Sequence, residues 1–418
     1  MRYLSRLFLL LLLACFLLLG MKSLDLELLE RVERLEKRLA DTPFPPGDNG
    51  YLTPQMFGAV ADDPFPDTEA FQKLFDEASR RNQNVYVPPG EYRIDTTITF
   101  RPERDKNAKH LFHFTGYGAN ILHTNRSRGY AFHFLRNEVE YYLNVEGFRF
   151  VGSAQLDVNG LKVEGITQST FRNMHFGRLD HSFDFVVGWN NIIENMTFVN
   201  TGRTGFRGMA LSGGGCKKGY NVNTHTNFRV HGGNWTWKKF QVVPESHFYL
   251  AGAGNIFQDF TTEGLRARYG FVIDQSGNCM NVNTVRNVHE EAHEWAQVQD
   301  KDYYSLYLPQ LRHQYDLYWL PQHGIKCDED KLGQIVIHDS GLGGHLINDK
   351  TGEPRMHAIP RMTGISRGLH IYGYAQKSLT LEKYETLVKC MGRDNKGPGK
   401  LRYHITCNGK LWYEDVSI

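Results

Sequence analysis

Five side chains recur at intervals that suit acid–base chemistry. His231, Glu263 and Glu291 follow one another at nearly equal spacing. Arg229 and His289 stand two residues before His231 and Glu291. If each interval is one turn of a repeating fold, His231, Glu263 and Glu291 stack in one column about 4.8 Å apart, beside Arg229 and His289. A carboxylate stacked on a histidine favours the imidazolium, and two stacked carboxylates raise the pKa of one of them. Such pairs suit general acid–base work on a polysaccharide. Glycoside hydrolysis takes two carboxyls, about 5 Å apart for retention or roughly 6.5–9.5 Å for inversion. β-Elimination beside a uronate takes a base and a cation that neutralises the carboxylate. Glu263, His231 and Glu291 are therefore candidate catalytic residues, with Arg229 and His289 binding substrate. The competing reading makes the patch structural or merely solvated. No metal or cofactor is expected, except a calcium ion if the reaction is elimination.

Other strand-like segments carry a second set of polar groups. Asp184 follows Asp180 and His181, Glu245 stands beside His247, and Asp274 lies in the run 270–277. Arg203, Arg207, Arg266 and Arg268 fall near the adjoining loops, and their planar forks fit uronate or sulfate groups. Asp274 joins the catalytic candidates, and Arg266 and Arg268 join the binding candidates. Between residues 295 and 319, Trp295, Tyr303, Tyr304, Tyr307, Tyr315, Tyr318 and Trp319 crowd a stretch with little repeat character. Tyr304 and Trp319 would stack on sugar faces, or the stretch is a loop covering the flank.

The elements that position these groups are visible as a repeat. Asn191-Ile-Ile-Glu-Asn195-Met-Thr-Phe, Asn223-Thr-His-Thr-Asn227-Phe-Arg-Val, Asn255-Ile-Phe-Gln-Asp259-Phe-Thr-Thr and Asn283-Thr-Val-Arg-Asn287-Val-His-Glu align without gaps. The first two intervals between their openings are equal and the third is slightly shorter. A fainter copy, Ser169-Thr-Phe-Arg-Asn173-Met-His-Phe, precedes them at a closer spacing. Short alternating strands at this period, with no helix-length periodicity between them, indicate stacked coils of strand. Period-2 alternation puts the fifth and seventh offsets inside and the sixth and eighth outside. The fourth-offset column, Asn173, Asn195, Asn227, Asp259 and Asn287, is expected to form an amide ladder in the interior. That placement also turns the Asn195-Met-Thr glycosylation sequon inward.

The N-terminal part adds a local signature. Met56-Phe57-Gly58-Ala59-Val60 leads through Asp62 and Asp63 to Asp67-Thr68-Glu69-Ala70-Phe71. Asp67 is placed to cap a helix with Phe71, Leu74, Phe75 and Ala78 on one stripe. Val85-Tyr-Val-Pro-Pro-Gly90-Glu-Tyr-Arg-Ile94 then reads as strand, tight turn and strand. Together these segments resemble the pectate-lyase-like superfamily of right-handed parallel β-helix proteins, in its pectate lyase and polygalacturonase-like N-terminal signature. The resemblance spans roughly residues 55 to 300. It implies an all-β chain: a single-stranded right-handed parallel β-helix with an N-terminal helical cap and a small C-terminal module. Asp62-Asp63-Pro64-Phe65-Pro66 stands where the family has Gly-Asp-Gly, and the Gly-His-Gly and Arg-Ile-Lys signatures of its pectin hydrolases are absent. The superfamily includes hydrolases, lyases, epimerases and non-enzymatic fibres, so the reaction stays open. Its groove often follows the first strand of each coil, which favours Asp184 and Asp274. Glu-Gly at a strand end is a common turn feature in it, the alternative role for Glu263-Gly264.

Composition bounds the rest. The 418 residues carry a formal net charge of +2, with no global signal for nucleic acid. Six scattered cysteines are too few for a disulfide scaffold, although Cys390 and Cys407 flank a Gly-rich stretch and would pair in an oxidising compartment. Arg2 and Arg6 precede an apolar run at 7–20, which reads as a signal peptide or signal anchor within 1–20. Residues 21–41 read as a charged helix with two heptads, suited to a stalk or a homotrimer, and 42–50 as a linker. The β-helix is expected over 51–345 and a cap over 346–418, with a helix near 379–391 and a terminal hairpin near 402–413. The expectation is a secreted or cell-surface protein that cleaves or modifies a polysaccharide, anchored in a membrane through 7–20 if that run is not cleaved. The alternative is a β-helical adhesin or fibre that binds glycans without catalysis.

Overall fold

The computed structural model describes residues 50–102, 110–124, 128–135, 141–210, 220–233, 239–240, 246–252, 254–263, 267–274, 283–290, 304–311, 314–318, 325–330, 334–339, 362–363, 369–375, 400–407 and 410–417. Their strands form two sheets, a wide one of 17 strands and a narrow one of 11. Strands one coil apart pair in parallel, as in Ile192–Thr201 with Thr224–Gly233 and then Ile256–Glu263. One coil runs along the narrow sheet through His181–Trp189, turns at Asn191, and returns along the wide sheet through Ile192–Thr201. The fold is thus a right-handed parallel β-helix.

The wide-sheet strands bend at a fixed corner. Asn173, Asn195, Asn227, Asp259 and Asn287 all have positive φ, between 54° and 60°. Gly147, with φ of 80°, holds the same corner one coil earlier, because Arg172 pairs with Glu146 and His175 with Arg149. Only glycine and, at modest cost, asparagine and aspartate sit readily in this left-handed region. The bend gives the third and fourth offsets a shared outward direction, so the fourth-offset column does not face inward. Asn195, Asp259 and Asn287 are exposed. An amide ladder exists there, but outside: Asn195 donates to Asn173 at 2.9 Å and Asn227 to Asn195 at 2.7 Å. The Asn195 sequon likewise lies on the surface.

The interior ladder is the opening column. Asn191, Asn223, Asn255 and Asn283 are at most 1% exposed. From Asn223 onward each Oδ1 accepts the backbone N–H of the preceding coil's counterpart, as in Asn191 N to Asn223 at 3.1 Å and Asn223 N to Asn255 at 2.9 Å. Each Nδ2 donates to a carbonyl of the narrow-sheet side, such as Gly188 O from Asn223 at 3.1 Å. A buried amide is tolerable only when satisfied in this way. Between the corners the core is apolar and aromatic. Phe176 stacks between Phe150 and Phe198, at centroid distances of 5.3 and 5.2 Å.

Helix Thr68–Arg81 covers the N-terminal end of the stack. Phe71, Leu74, Phe75 and Ala78 are buried as the stripe predicts, and Phe75 meets Phe132 at 5.2 Å. Asp67 sits at the cap position but does not cap with its side chain. Its oxygens instead accept the backbone N–H of Val60 at 2.9 Å and of Arg93 at 3.1 Å, tying the entering loop to the first coil.

The aromatic stretch near 304–318 contains a further coil rather than a covering loop. Tyr304–Leu311 extends the narrow sheet and Gln314–Tyr318 the wide one. Tyr315 occupies the place of the buried asparagine, in register with Asn283, so the repeat is invisible in the letters. Parallel pairing continues beyond residue 345 through Leu369–Ala375 to Lys400–Cys407, where an antiparallel hairpin with Lys410–Ser417 ends it. The expected leader, stalk, helix at 379–391 and Cys390 lie outside the described residues.

The narrow sheet also absorbs an excursion. Met209 pairs with Val186 and Tyr220 with Gly188, so residues 210–219 intervene between neighbouring register positions. The skipped position, Val187, has φ of 55°.

Candidate functional site

On the outer face of the wide sheet, the corner residues fix the parity of the positions after them. Past Asn227, Phe228 and Val230 turn inward and are fully buried, while Arg229 is exposed and His231 partly so. The same parity places Thr261 and Glu263 outward past Asp259. His231 and Glu263 are register partners, and His231 Nδ1 lies 2.6 Å from Glu263 Oε2. The two side chains are 34% and 35% exposed. With Nδ1 committed to the carboxylate, Nε2 is the nitrogen a ligand would meet. Arg229 and His289 occupy the neighbouring column, separated by Thr261.

The narrow sheet's outer face is arranged differently. Arg207 grips Asp184 with two nitrogens, Nε to Oδ1 at 2.7 Å and Nη2 to Oδ2, and the Tyr130 hydroxyl donates to Oδ2. Asp184 is only 1% exposed, and Arg207 24%. Burial and the neighbouring carboxylate push the Tyr130 phenol up, so it stays a donor. Burial alone would lower the Arg207 pKa, but the Asp184 carboxylate outweighs it and raises the value. Arg203 similarly bridges Asp180 and Asp157. Beside them Lys162 meets Glu164 at 2.7 Å, with His133 at 3.3 Å from the same oxygen. Burial and then Lys162 hold His133 below its ordinary pKa.

The expected residues therefore separate. His231, Glu263, Arg229 and His289 share one patch. Asp274 lies on the other sheet and accepts the Tyr249 hydroxyl at 2.8 Å. Arg268 is exposed just before the narrow-sheet strand Tyr269–Asp274. Tyr304 begins a narrow-sheet strand in register with Tyr269. Glu291, Arg266 and Trp319 lie outside the described residues. Sequence reasoning missed Tyr130 and His133, whose partners Asp184 and Glu164 are distant in sequence, and the Lys162–Glu164 pair, which lies outside the aligned repeat. It also missed Arg149, a cationic neighbour of the patch in register with His175 of the outward column. Residues 289–293, His-Glu-Glu-Ala-His, match the letters of the HExxH zinc motif. That motif needs a helix to bring both histidines to one face. Here His289 and Glu290 end strand Asn283–Glu290.

Among the described residues no group of three or more His, Cys, Asp or Glu converges as a metal cage does. Asp180 and Asp184, the most buried acids, already face arginines. No helix among them is long and apolar enough to cross a membrane.

Fold and site together define a β-helix with a hydrogen-bonded His231–Glu263 pair on one flank. No family model matches the chain, and no curated protein sequence does. Among solved structures it is similar to ORF18 of Geobacillus virus E2, with 13% identity and a TM-score of 0.49 over 87% of this chain. The match spans 63% of ORF18, less than two thirds of its length. The gp42 tailspike of Acinetobacter phage vb_AbaP_AS12 is 11% identical at a TM-score of 0.48, covering 90% of this chain and 68% of the tailspike. The alginate lyase of Paenibacillus sp. str. FPU-7 is 11% identical at 0.45, covering 64% of this chain and 92% of the lyase. At such identities the likeness concerns the fold alone.

Proposed function

We propose that this protein binds an acidic polysaccharide along the flank of the β-helix and cleaves it by β-elimination. The observation that carries this reading is the His231–Glu263 pair, hydrogen-bonded at 2.6 Å and one-third exposed beside Arg229. Glu263 accepts at His231 Nδ1 and so orients the ring with Nε2 toward the ligand, as a carboxylate does for a catalytic base. His231 Nε2 takes the proton from the carbon next to the uronate carboxylate. Electrons from that C–H bond form the C=C bond, and the C–O bond to the leaving sugar breaks. The leaving oxygen regains a proton from water or from His231. Arg229 offsets the charge that builds on the carboxylate. Hydrolysis needs two carboxyls across the scissile bond. Glu263 is the one carboxylate described in this pair, and Glu291 would have to supply the other.

In the same proposal the chain is exported by its apolar N-terminal run, and the heptads near 21–41 gather three copies. Polysaccharides incubated with the protein, assayed for both reducing ends and absorbance of an unsaturated product, test the chemistry. Both signals are expected. Reducing ends alone would mean hydrolysis through Glu263 and Glu291. Neither signal, with binding retained, would make the protein a glycan-binding fibre and end the catalytic reading.

A further inference from the structure

The column beside the catalytic pair has its own period. Register runs Arg149, His175, Thr197, Arg229, Thr261, His289 along the outer face of six coils. From His175 onward a basic side chain alternates with a threonine, so basic groups recur every second coil, about 10 Å apart. That spacing is close to a disaccharide unit of an extended glycan. Arg149, Arg229 and His289 are exposed and His175 is partly so. Among the described side chains the acids flanking the column are Glu263, bonded to His231, and Asp259, which accepts from Asn287, each two residues from Thr261.

We propose that this column is an anion-binding track, in which Arg149 with His175, Arg229, and His289 each take an acidic group, carboxylate or sulfate ester, of a glycan lying parallel to the coil axis. The proposal rests on the functional reading above for the identity of the ligand as a glycan. Arg149 and His175 then form a subsite two to four coils away from His231 and Glu263, outside the reacting unit.

The state of His175 supports this assignment. Its Nδ1 is buried without a hydrogen-bond partner. An orphaned acceptor is tolerated better than an orphaned N–H, so the proton of the neutral ring belongs on Nε2, as a donor toward the outer face. The ring is kept neutral by burial, then by Arg149 and by His231, the charged or titratable groups that face it. An anion placed between Arg149 and His175 reverses that balance and raises the imidazole pKa.

Binding of polygalacturonate, hyaluronan, dextran sulfate and dextran is measured by calorimetry on the full chain and on Arg149→Gln and His175→Gln. The His175 ring is followed by NMR titration. At least one acidic polymer is expected to bind and dextran not to. Arg149→Gln should weaken acidic binding about tenfold, the loss of one charge-assisted contact. The His175 pKa should rise when the polymer is added. Preference for the uronates or for dextran sulfate assigns the group as carboxylate or sulfate. Equal binding of dextran, or unchanged binding by Arg149→Gln, overturns the track. If no polymer is turned over but Arg149→Gln still weakens binding, the track stands and the catalytic reading falls. If Glu263→Gln abolishes turnover while Arg149→Gln changes neither KM nor binding, the reverse holds.

Discussion

On the narrow sheet Asp184 is 1% exposed and faces Arg207 and Tyr130 with both oxygens; on the wide sheet Glu263 is 35% exposed and faces His231 with one. Both are carboxylates on the outside of the same coil stack. The first is saturated by its own neighbours and ties strands from three coils together. Ionised groups buried this way are costly to separate and have little left to offer a substrate. The second keeps an oxygen and an imidazole nitrogen for a ligand. The contrast separates a strut from the proposed working pair by what each leaves unspent.

The largest effect should come from the working pair. Glu263→Gln is expected to slow turnover by roughly 10²–10⁴-fold, the usual contribution of a positioned acid–base group. Its thermal melt should match the parent's. A fully active Glu263→Gln protein would sink the wide-face site. The strut should respond the other way. Arg207→Met strands a buried carboxylate and should cost about 3–5 kcal/mol in urea unfolding. The double change Arg207→Met with Asp184→Leu should recover much of that loss. A single Arg207→Met that unfolds like the parent would show that Asp184 is not the strut described.

Acid separates buried from exposed groups in a third way. His225, with no exposure and a 2.6 Å contact to the Tyr220 hydroxyl, is pushed down to about 3 by burial. His181 is pushed down to about 2, by burial and then by Arg207 and Arg203. Both depressed values mean that the unfolded chain binds more protons below the ordinary histidine range. Stability is therefore full above pH ~6.5 and falls as pH drops toward the folded values, by about 1.4 kcal/mol per pH unit for each ring. Unfolding midpoints compared at pH 7 and 5 measure this. His225→Phe should flatten part of the slope, and an unchanged slope would rule His225 out as its source.

The smallest effects distinguish the two ladders. Asn223→Ala removes the acceptor of Asn191 and the donor to Gly188 inside the core, and should cost about 2–3 kcal/mol. Asp259→Ala, on the exposed corner, should lower the melting temperature by the equivalent of about 1 kcal/mol, mainly because alanine resists positive φ. Asp259→Gly should lose almost nothing. If Asp259→Ala proves more damaging than Asn223→Ala, the inside and outside ladders have been exchanged.

Much of this is legible in the sequence because stacking turns sequence offset into spatial register. His231 and Glu263 meet because the interval between them makes one turn in that part of the chain. The parity that turns them outward holds because it is counted after the corner. The corner itself is hidden. Strict alternation has no place for a left-handed residue, so it assigns the exposed Asn195 column to the interior and leaves the buried Asn191 column unrecognised. The coil at 304–318 is lost because Tyr315 replaces the marker residue. Tyr130 and Asp184 are not legible as a pair. They lie 54 residues apart, on strands separated by Val158–Thr167, which pairs with both.

The excursion at Val187 has a practical meaning. Met209 and Tyr220 pair with the same neighbouring strand on either side of the ten residues between them, and only Val187 is skipped. A ladder that resumes on the same partner strand after an interruption, at the cost of one skipped position, is a natural port. Peptides of other lengths grafted at 210–219 should leave both adjoining coils in place. The scaffold could therefore gain new recognition loops there, by evolution or by design, without its axis being rebuilt.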